Sequence, residues 1–150
     1  MKEVLFRGRT EDGKWAYGSL ICADEYCCIL ESEDNVHPMD YPYLDGELGT
    51  FDGKATPIVP GTVGQYIGLC DISNNKIFEG DILENESLSG KTEYFLIGYD
   101  GASFTYCTPK ELRLGIATSI DDNEYGIITG YYKVIGNIHD DPEIFVEGTA

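Results

Sequence analysis

Basic residues, histidines and long apolar runs are all scarce in this sequence. Ten Lys and Arg stand against 27 Asp and Glu among 150 residues, which gives a formal net charge of −17 at pH 7. A chain this acidic is repelled by DNA, RNA and anionic membranes, so direct binding to any of them is not expected. No apolar run approaches the roughly 18 residues of a membrane-spanning helix. We therefore expect a soluble protein with a well-solvated surface, and any external partner should present a basic face.

Cysteine pairs with metal-site spacing are also missing. The five cysteines are Cys22, Cys27, Cys28, Cys70 and Cys107. Their odd number, together with an N-terminal MKEVLFRG that has no apolar signal core, predicts free thiols and a cytoplasmic location. The first three cysteines and His37 are candidates for a zinc site, but they lack Cys-x-x-Cys pairs, and adjacent cysteines on a strand face opposite sides. Small apolar core residues are the favoured interpretation, so we expect no metal and no cofactor.

The sequence is rich in turn residues and tyrosine, with 18 glycines and 11 tyrosines. Short strand-like runs between turns predict an all-β fold with little helix. Asp12-Gly13 and Asp100-Gly101 each lie between two such runs and predict β-hairpins, the first with a positive φ at both turn residues. Strands are expected near residues 2–8, 14–22, 26–31, 62–69, 91–99, 102–108 and 130–138. A helical turn is expected at 109–114, and residues 139–145 are expected to form a tail.

Residues 32–61 separate two regions of different character. They contain four of the six prolines and show neither a period of two nor one of 3.6. Residues 1–61 are therefore expected to form an N-terminal β-hairpin subdomain that ends in a Pro/Gly-rich connecting segment. Residues 62–150 are expected to form a small C-terminal barrel, SH3-like or partly open, because EGDIL at 79–83 is similar to the start of a strand in SH3-like barrels.

The stretch TVGQYIGLCDISNNKIFEGDIL at 62–83 holds the most specific residue pattern. It lacks the Gly-x-Gly-x-x-Gly spacing and the following Lys-Ser/Thr of phosphate-binding loops. Its glycines are expected to permit bulges and close packing, its Gln-Tyr pair to satisfy local backbone groups, and its Gly-Asp pair to turn the chain. With a Gly-Asn pair near the C-terminus, the residues assigned this structural role are Gly64, Gln65, Tyr66, Gly68, Glu79, Gly80, Asp81, Gly136 and Asn137.

Two alternatives would place catalysis on or near these residues. Glu79 and Asp81, two apart on a strand, would face the same side and could perform acid–base chemistry. The favoured interpretation is that Asp81 accepts backbone N–H groups while Glu79 is solvated. His139 and Cys107 could form a nucleophilic pair, but nothing in the sequence places them together. We therefore expect no catalytic residues and no enzymatic activity.

Four segments, taken in order, resemble the YopX family of small proteins found mainly in bacteriophages and prophages. They are FRGRTEDGKWAYGSL at 6–20, the stretch at 62–83, YDGASF at 99–104 and VIGNIHDDPEI at 134–144. The resemblance runs over nearly the whole chain. It implies a β-rich fold in two parts, a bacterial host cell, oligomerisation as a possibility, and no established biochemical activity.

These observations lead us to expect a non-enzymatic binding or assembly module that acts through protein contacts. The candidate contact regions are the N-terminal hairpin with Trp15 and Tyr17 and the last strand with Tyr131 and Tyr132, both taken as exposed sheet edges where a homo-oligomer could form. A host or phage protein with a basic face is the other expected partner. Two alternatives stay open: an acidic nucleic-acid mimic that inhibits a host DNA-binding protein, and an enzyme whose site is dispersed along the sequence.

Overall fold

The computed structural model describes five stretches of the chain and divides them between two compact units. The described residues are 4–24, 26–32, 53–86, 90–121 and 128–147. The division lies between Gln65 and Tyr66, and the boundary predicted after residue 61 stays a prediction. In the described stretches strands dominate and the helices are short, which confirms the prediction of an all-β fold with little helix.

The N-terminal unit is an antiparallel sheet. Its strands are β1 (Phe6–Arg9), β2 (Trp15–Ala23), β3 (Tyr26–Ser32), β4 (Gly53–Ile58) and the start of β5 (Gly64–Cys70), with a 3-10 turn at Pro60–Thr62 before β5. Neighbouring strands follow the order β4-β3-β2-β1-β5, and β5 contributes Gly64 and Gln65, which pair with β1. The hairpin that carries Trp15 and Tyr17 therefore lies inside the sheet, which corrects the prediction that it forms an exposed edge.

The β1–β2 hairpin was predicted from Asp12-Gly13, and it forms with a longer loop than expected. Its cross-strand pairs end before residues 10–14, which form the connection. Gly13 has a φ of +85°, whereas Asp12 does not have the positive φ that was predicted. Because the loop is longer than two residues, the Thr10 N–H can close it by donating to the Lys14 carbonyl 2.8 Å away.

The cysteines of the β2–β3 hairpin correct the prediction of free thiols. Cys22 and Cys27 lie directly opposite each other in the β2–β3 register, their Cα atoms are 4.1 Å apart, and they form a disulfide. The other three cysteines are free. His37, the remaining member of the candidate zinc set, lies outside the described residues.

The core of the N-terminal unit gathers side chains from several strands of its sheet. Its buried members are Ala16, Ile29 and Ile58, and partly buried side chains pack against them from Phe6, Leu20, Cys27 and Val63. Successive residues of a strand point to opposite faces, so alternate positions of β2 and β3 reach the same core. Burying one large aliphatic side chain contributes about 1.5–3 kcal/mol.

The C-terminal unit contains the rest of β5 and an antiparallel five-stranded sheet. Its further strands are β6 (Lys76–Phe78), β7 (Asp81–Glu86), β8 (Thr92–Tyr99), β9 (Phe104–Cys107), β10 (Thr118–Ser119) and β11 (Lys133–Asn137). Its helices are α1 (Pro109–Arg113) and α2 (Pro142–Glu147), and residues 128–131 are also helical. The sheet order is β10-β9-β8-β7-β11. Because β10 and β11 are both edges among the described strands, the sheet is open and does not close into a barrel.

Alternate residues of β8 supply apolar side chains to two clusters on the two faces of this sheet. Phe95 and Ile97 belong to one cluster, whose other buried members are Ile67, Ile77, Leu83 and Ile128. Tyr94 and Leu96 pack against the second cluster, which consists of Ile82, Cys107 and Phe145. Burial on both faces explains why β8 contains the continuous apolar run YFLI instead of a strict apolar–polar alternation.

Two predictions near the C-terminus are wrong. The last strand was expected at 130–138, but the chain is helical through residue 131 and β11 begins at Lys133. The expected tail at 139–145 instead includes most of α2, whose Phe145 is 1% exposed and belongs to the core. A helix this short covers less than two turns, so no helical period of 3.6 residues can develop in the sequence.

Of the connecting segment predicted within 32–61, residues 33–52 lie outside the described part of the chain. The remainder is the last residue of β3, β4 and the 3-10 turn before β5. No helix within the described stretches is long and apolar enough to span a membrane.

Candidate functional site

The Glu79-Gly80-Asp81 segment forms a tight turn between β6 and β7. The Phe78 N–H donates to Asp81 Oδ2 at 2.8 Å, and Asp81 is 1% exposed. Gly80 has a φ of +89°, and its N–H donates to the Ile97 carbonyl at 2.8 Å. Glu79 lies in the turn and only Asp81 lies on β7, which corrects the prediction that the two carboxylates share one face of a strand.

Gly136 and Asn137 lie beside this turn, because β11 pairs with β7 and places Asn137 opposite Asp81. The Asn137 Oδ1 accepts from the backbone N–H groups of His139 at 3.0 Å and Asp140 at 2.9 Å. The register of β11 shifts just before Gly136, where an added Cβ would lie 2.4 Å from Asp141 Oδ2. The structure thus brings the Gly80-Asp81 and Gly136-Asn137 pairs together. The Asp and Asn side chains of these pairs accept hydrogen bonds from the nearby backbone.

Tyr66 and Gly68 form a second group at the β5–β6 pairing. The Tyr66 ring is buried, lies 5.7 Å from the Phe78 ring between centroids, and has Lys76 Nζ 5.2 Å from its centroid. Gly68 has a φ of +90° and lies where the β5–β6 register shifts between Tyr66 and Cys70. A positive φ favours glycine because a Cβ there meets the backbone. Gly64 and Gln65 are not part of this group, since they belong to the N-terminal unit.

Sequence reasoning missed Asp71, a carboxylate that accepts four hydrogen bonds. It is buried and accepts from the N–H groups of Ser73 at 2.9 Å, Asn75 at 2.8 Å and Val134 at 2.9 Å, and from Asn75 Nδ2 at 3.3 Å. Burial alone would raise the pKa of Asp71, but these donors outweigh it and lower the pKa. An Asp at the start of a turn-rich run such as Asp-Ile-Ser-Asn-Asn at 71–75 is a signature of an Asx-turn, and that signal could have identified it.

The environment of Cys107 does not activate its thiol. Cys107 is 5% exposed, and its burial, with a smaller contribution from the nearby Glu111 carboxylate, raises the pKa of the thiol. A nucleophilic cysteine requires a lowered pKa. Among the residues that the structure describes, no three His, Cys, Asp or Glu side chains gather into a metal-binding set.

A groove in the N-terminal unit has a distinct chemical character. It has a volume of about 540 Å³ and lies at the β1–β2 loop. Its lining residues are Thr10, Glu11, Asp12, Lys14, Trp15, Ala16, Glu31, Thr56 and Pro57. We call it the acidic groove, because three of these side chains are carboxylates and one is a cation.

Trp15, one of the residues that line the acidic groove, has its ring held in place by two arginines. The guanidinium carbons of Arg7 and Arg9 lie 4.4 Å and 4.2 Å from a Trp15 ring centroid. Both arginines lie on β1, two residues apart and therefore on the same face of the sheet. Such cation–π contacts fix the orientation of the indole.

Two of the three groove carboxylates, Glu31 and Asp12, are held by hydroxyl groups. The Thr56 hydroxyl donates to Glu31 Oε2 at 2.7 Å, and the Thr10 hydroxyl donates to Asp12 Oδ1. The bond from Thr10 is the main reason that the pKa of Asp12 is lowered, and Lys14 adds to it. The Asp12 carboxylate therefore stays charged at neutral pH, and the groove presents oxygen acceptors.

The two candidate contact regions differ in exposure. Tyr17 is 46% exposed and Tyr131 is 68% exposed. Tyr132, in contrast, is half-buried, and its ring makes an edge contact with Phe95 at 5.2 Å between centroids. Tyr132 therefore serves the core of the C-terminal unit, while Tyr17 and Tyr131 can reach a neighbour.

Comparison with known proteins agrees with this architecture. No curated protein matches the chain. The crystal structure of protein EF1440 from Enterococcus faecalis is similar to it with a TM-score of 0.54 and 16% sequence identity, over 97% of this chain and 99% of that one, so the likeness concerns the fold alone. A family model described as YopX protein matches residues 5–145. Because that match covers nearly the whole sequence, the chain belongs to the YopX family.

Proposed function

We propose that this YopX-family chain is a phage- or prophage-encoded binding or assembly module that works in the bacterial cytoplasm through protein contacts and not through catalysis. The acidic groove is the observation that carries the proposal. It gathers three carboxylates and one cation in a concave surface. Surfaces of complementary charge are a common feature of protein–protein recognition.

The role of the motif residues supports the same proposal. Asp81 accepts a backbone N–H within its turn, Asn137 holds the following loop, and Asp71 joins a turn to β11. Side-chain oxygens engaged in this way maintain the backbone, because removing them would leave N–H groups without acceptors. These motif residues therefore maintain the backbone of the C-terminal unit.

The partner that suits the acidic groove is a host or phage protein with a basic face. Glu11, Asp12 and Glu31 attract Lys and Arg side chains, and the net charge of −17 adds a long-range field of the same sign. Complementary charge speeds association more than it strengthens the final complex. Added salt should therefore slow the association rate. A nucleic-acid mimic that occupies a DNA-binding protein is a special case of such a partner.

Homo-oligomerisation is the second part of the proposal. A subunit of charge −17 repels its copies at low salt, so an oligomer must be held by apolar or hydrogen-bonded surfaces. Tyr131 precedes the edge strand β11, and Tyr17 lies on a face of the N-terminal sheet. Light scattering at low and high salt tests this part, and a monomer under both conditions would remove it.

The binding proposal is tested by affinity capture from host cells followed by measurement with the purified captured protein. Glu11→Lys should slow association with a basic partner, whereas Glu143→Lys, an exposed position on α2, makes the same charge change in the other unit. An equal effect of the two substitutions would contradict a role for the groove. Tight, salt-sensitive binding of bare DNA by the wild-type chain would contradict the charge argument as a whole.

A further inference from the structure

The first half of β8 has a strand neighbour on one side only. On one side β7 pairs with Thr92 through Leu96. On the other side β9 pairs with β8 only from Leu96 to Tyr99, so none of the described strands lies beside residues 92–95 there. The cause is local: β9 ends at Cys107, and the chain turns away into α1.

The turn into α1 is fixed by its own residues. Pro109 is the first residue of the helix. The N–H that proline lacks would have no partner within the helix at this position, so its absence has no consequence. The Glu111 N–H donates to the Thr108 hydroxyl at 3.2 Å, and the Thr108 N–H donates to Glu111 Oε1 at 3.0 Å. This capping box prevents the chain from continuing β9 alongside β8. The gap beside residues 92–95 is therefore a built feature of the fold.

The gap forms a groove between β8 and α1 with a volume of about 320 Å³. Half-buried Tyr94 and Phe95 lie on the β8 side, and exposed Lys110 and Arg113 lie on the α1 side. Glu93 also lines the groove, on the β8 side. We call it the β8–α1 groove. Its volume is at the lower end of the range of ligand sites, about 300–1,000 Å³.

We propose that the β8–α1 groove binds an extended acidic peptide segment of a partner protein, which adds as a strand beside residues 92–95. In an antiparallel sheet, every second residue of a strand points both its N–H and its C=O toward the same neighbouring strand. Some of residues 92–95 therefore point these backbone groups toward the groove. An incoming strand is held by main-chain hydrogen bonds, and its alternate side chains give specificity. The proposal concerns the C-terminal unit and does not depend on the acidic groove.

The charge of the groove selects the acidic side chains. Lys110 and Arg113 project from the same short helix, three residues apart and so on one face. The guanidinium of an arginine suits a carboxylate because it can donate two parallel hydrogen bonds. Glu93 is the one carboxylate among the lining residues, so the two cations leave the lining of the groove with a net positive charge. Charges more than about 8 Å away are largely screened at physiological salt. A long polyanion such as DNA would extend past the two cations and meet the net negative charge.

The test measures retention of peptide pools on the immobilised full-length chain. One pool has the pattern X-Glu-X-Glu-X-Glu, with X drawn from Val, Thr and Tyr, and the matched pool has Lys in place of Glu. The Glu pool should be retained about tenfold better than the Lys pool, since two exposed ion pairs together raise the affinity by roughly a factor of ten. Methylating alternate peptide nitrogens should abolish retention, because main-chain pairing is then blocked.

Two variants locate the binding. Lys110→Glu with Arg113→Glu should remove the preference for the Glu pool, whereas Lys14→Glu with Lys133→Glu makes the same charge change elsewhere and should preserve it. Amide chemical shifts of the wild-type chain should move at 92–95 and 108–113 when the Glu pool is added, a result that does not depend on any variant folding. No preference for the Glu pool, a preference that persists in the first variant, or shift changes confined to other residues would overturn the proposal.

Discussion

The Asp71 carboxylate accepts a hydrogen bond from the backbone N–H of Val134, 2.9 Å away and 63 positions along the chain. The same side chain closes its own turn by accepting from Ser73 and Asn75. Next to it, the Ile72 N–H donates to the Tyr132 carbonyl at 2.9 Å. A single buried carboxylate thus joins the loop after β5 to the start of β11.

Asp71→Asn should lower the free energy of unfolding by about 2 kcal/mol, because an amide nitrogen would face backbone donors and leave them without an acceptor. Urea denaturation measures the change. Asp100→Asn is the matched control: Asp100 also accepts two backbone N–H groups, from Ala102 and Ser103, but it is exposed and water can replace it. An effect at Asp71 no larger than that at Asp100 would contradict the role of burial.

The stability difference between wild type and Asp71→Asn should depend on pH. The pKa of Asp71 is lowered in the folded protein, so the unfolded chain binds a proton more readily than the folded one. The stabilisation is therefore complete above the unfolded pKa of about 3.9 and is lost as pH falls through the lower folded value. Urea denaturation at pH 7 and at successively lower pH should show the difference shrinking. A difference that grows toward acid pH would reverse the sign of this argument.

Gly80→Val should destabilise the fold by roughly 1–3 kcal/mol, because a β-branched residue is strained at a φ of +89°. Space is not the cause: a Cβ at Gly80 would meet its nearest neighbour, His139 Nε2, at 3.5 Å, an ordinary contact. Gly61→Val is the control, since Gly61 lacks a positive φ and has nothing within 4 Å of an added Cβ. Thermal melts that coincide for wild type and Gly80→Val would refute the prediction.

Phe145→Ala should lower the free energy of unfolding by about 3–5 kcal/mol, the usual loss for removing a buried aromatic side chain. Phe145 is 1% exposed and packs in a cluster with Ile82 and Cys107. Glu143→Ala on the same helix is exposed and should have little effect. Chemical denaturation distinguishes the two, and a change below 1 kcal/mol at Phe145 would mean that α2 does not belong to the core.

Local sequence signals were sufficient to locate the hairpins and turns, although not the length of the β1–β2 loop. Gly13, Gly80 and Gly101 all have a positive φ, and each follows or precedes an Asp at a break between apolar runs. Such residues act on the backbone directly, because few other side chains tolerate these conformations. The structural role of Asn137 could also be predicted from the sequence, since an Asn side chain commonly accepts hydrogen bonds from the backbone of the loop that follows it.

Features that depend on distant parts of the chain could not be predicted in the same way. The bond from Val134 to Asp71 requires that β11 lie near the loop after β5, and no local pattern encodes that proximity. The acidic groove assembles Trp15, Glu31 and Thr56 from three strands. Phe145 is a single aromatic residue in an acidic context, so its burial follows only from the sheet face that it covers. The disulfide also could not be recognised without the register of the β2–β3 hairpin, which places Cys22 opposite Cys27.

The Cys22–Cys27 disulfide leads to a final prediction. Protein purified without reductant and then unfolded should show three titratable thiols, and five after reduction, since one disulfide joins two of the five cysteines. Reduction should lower the free energy of unfolding by roughly 2 kcal/mol, a modest value because the closed loop is short. Cys28→Ser should respond to reductant as the wild type does, because Cys28 is free, whereas Cys22→Ser should not respond. Five thiols before reduction would show that the two opposed cysteines remain unbonded, and the hairpin would then be held by its backbone ladder alone.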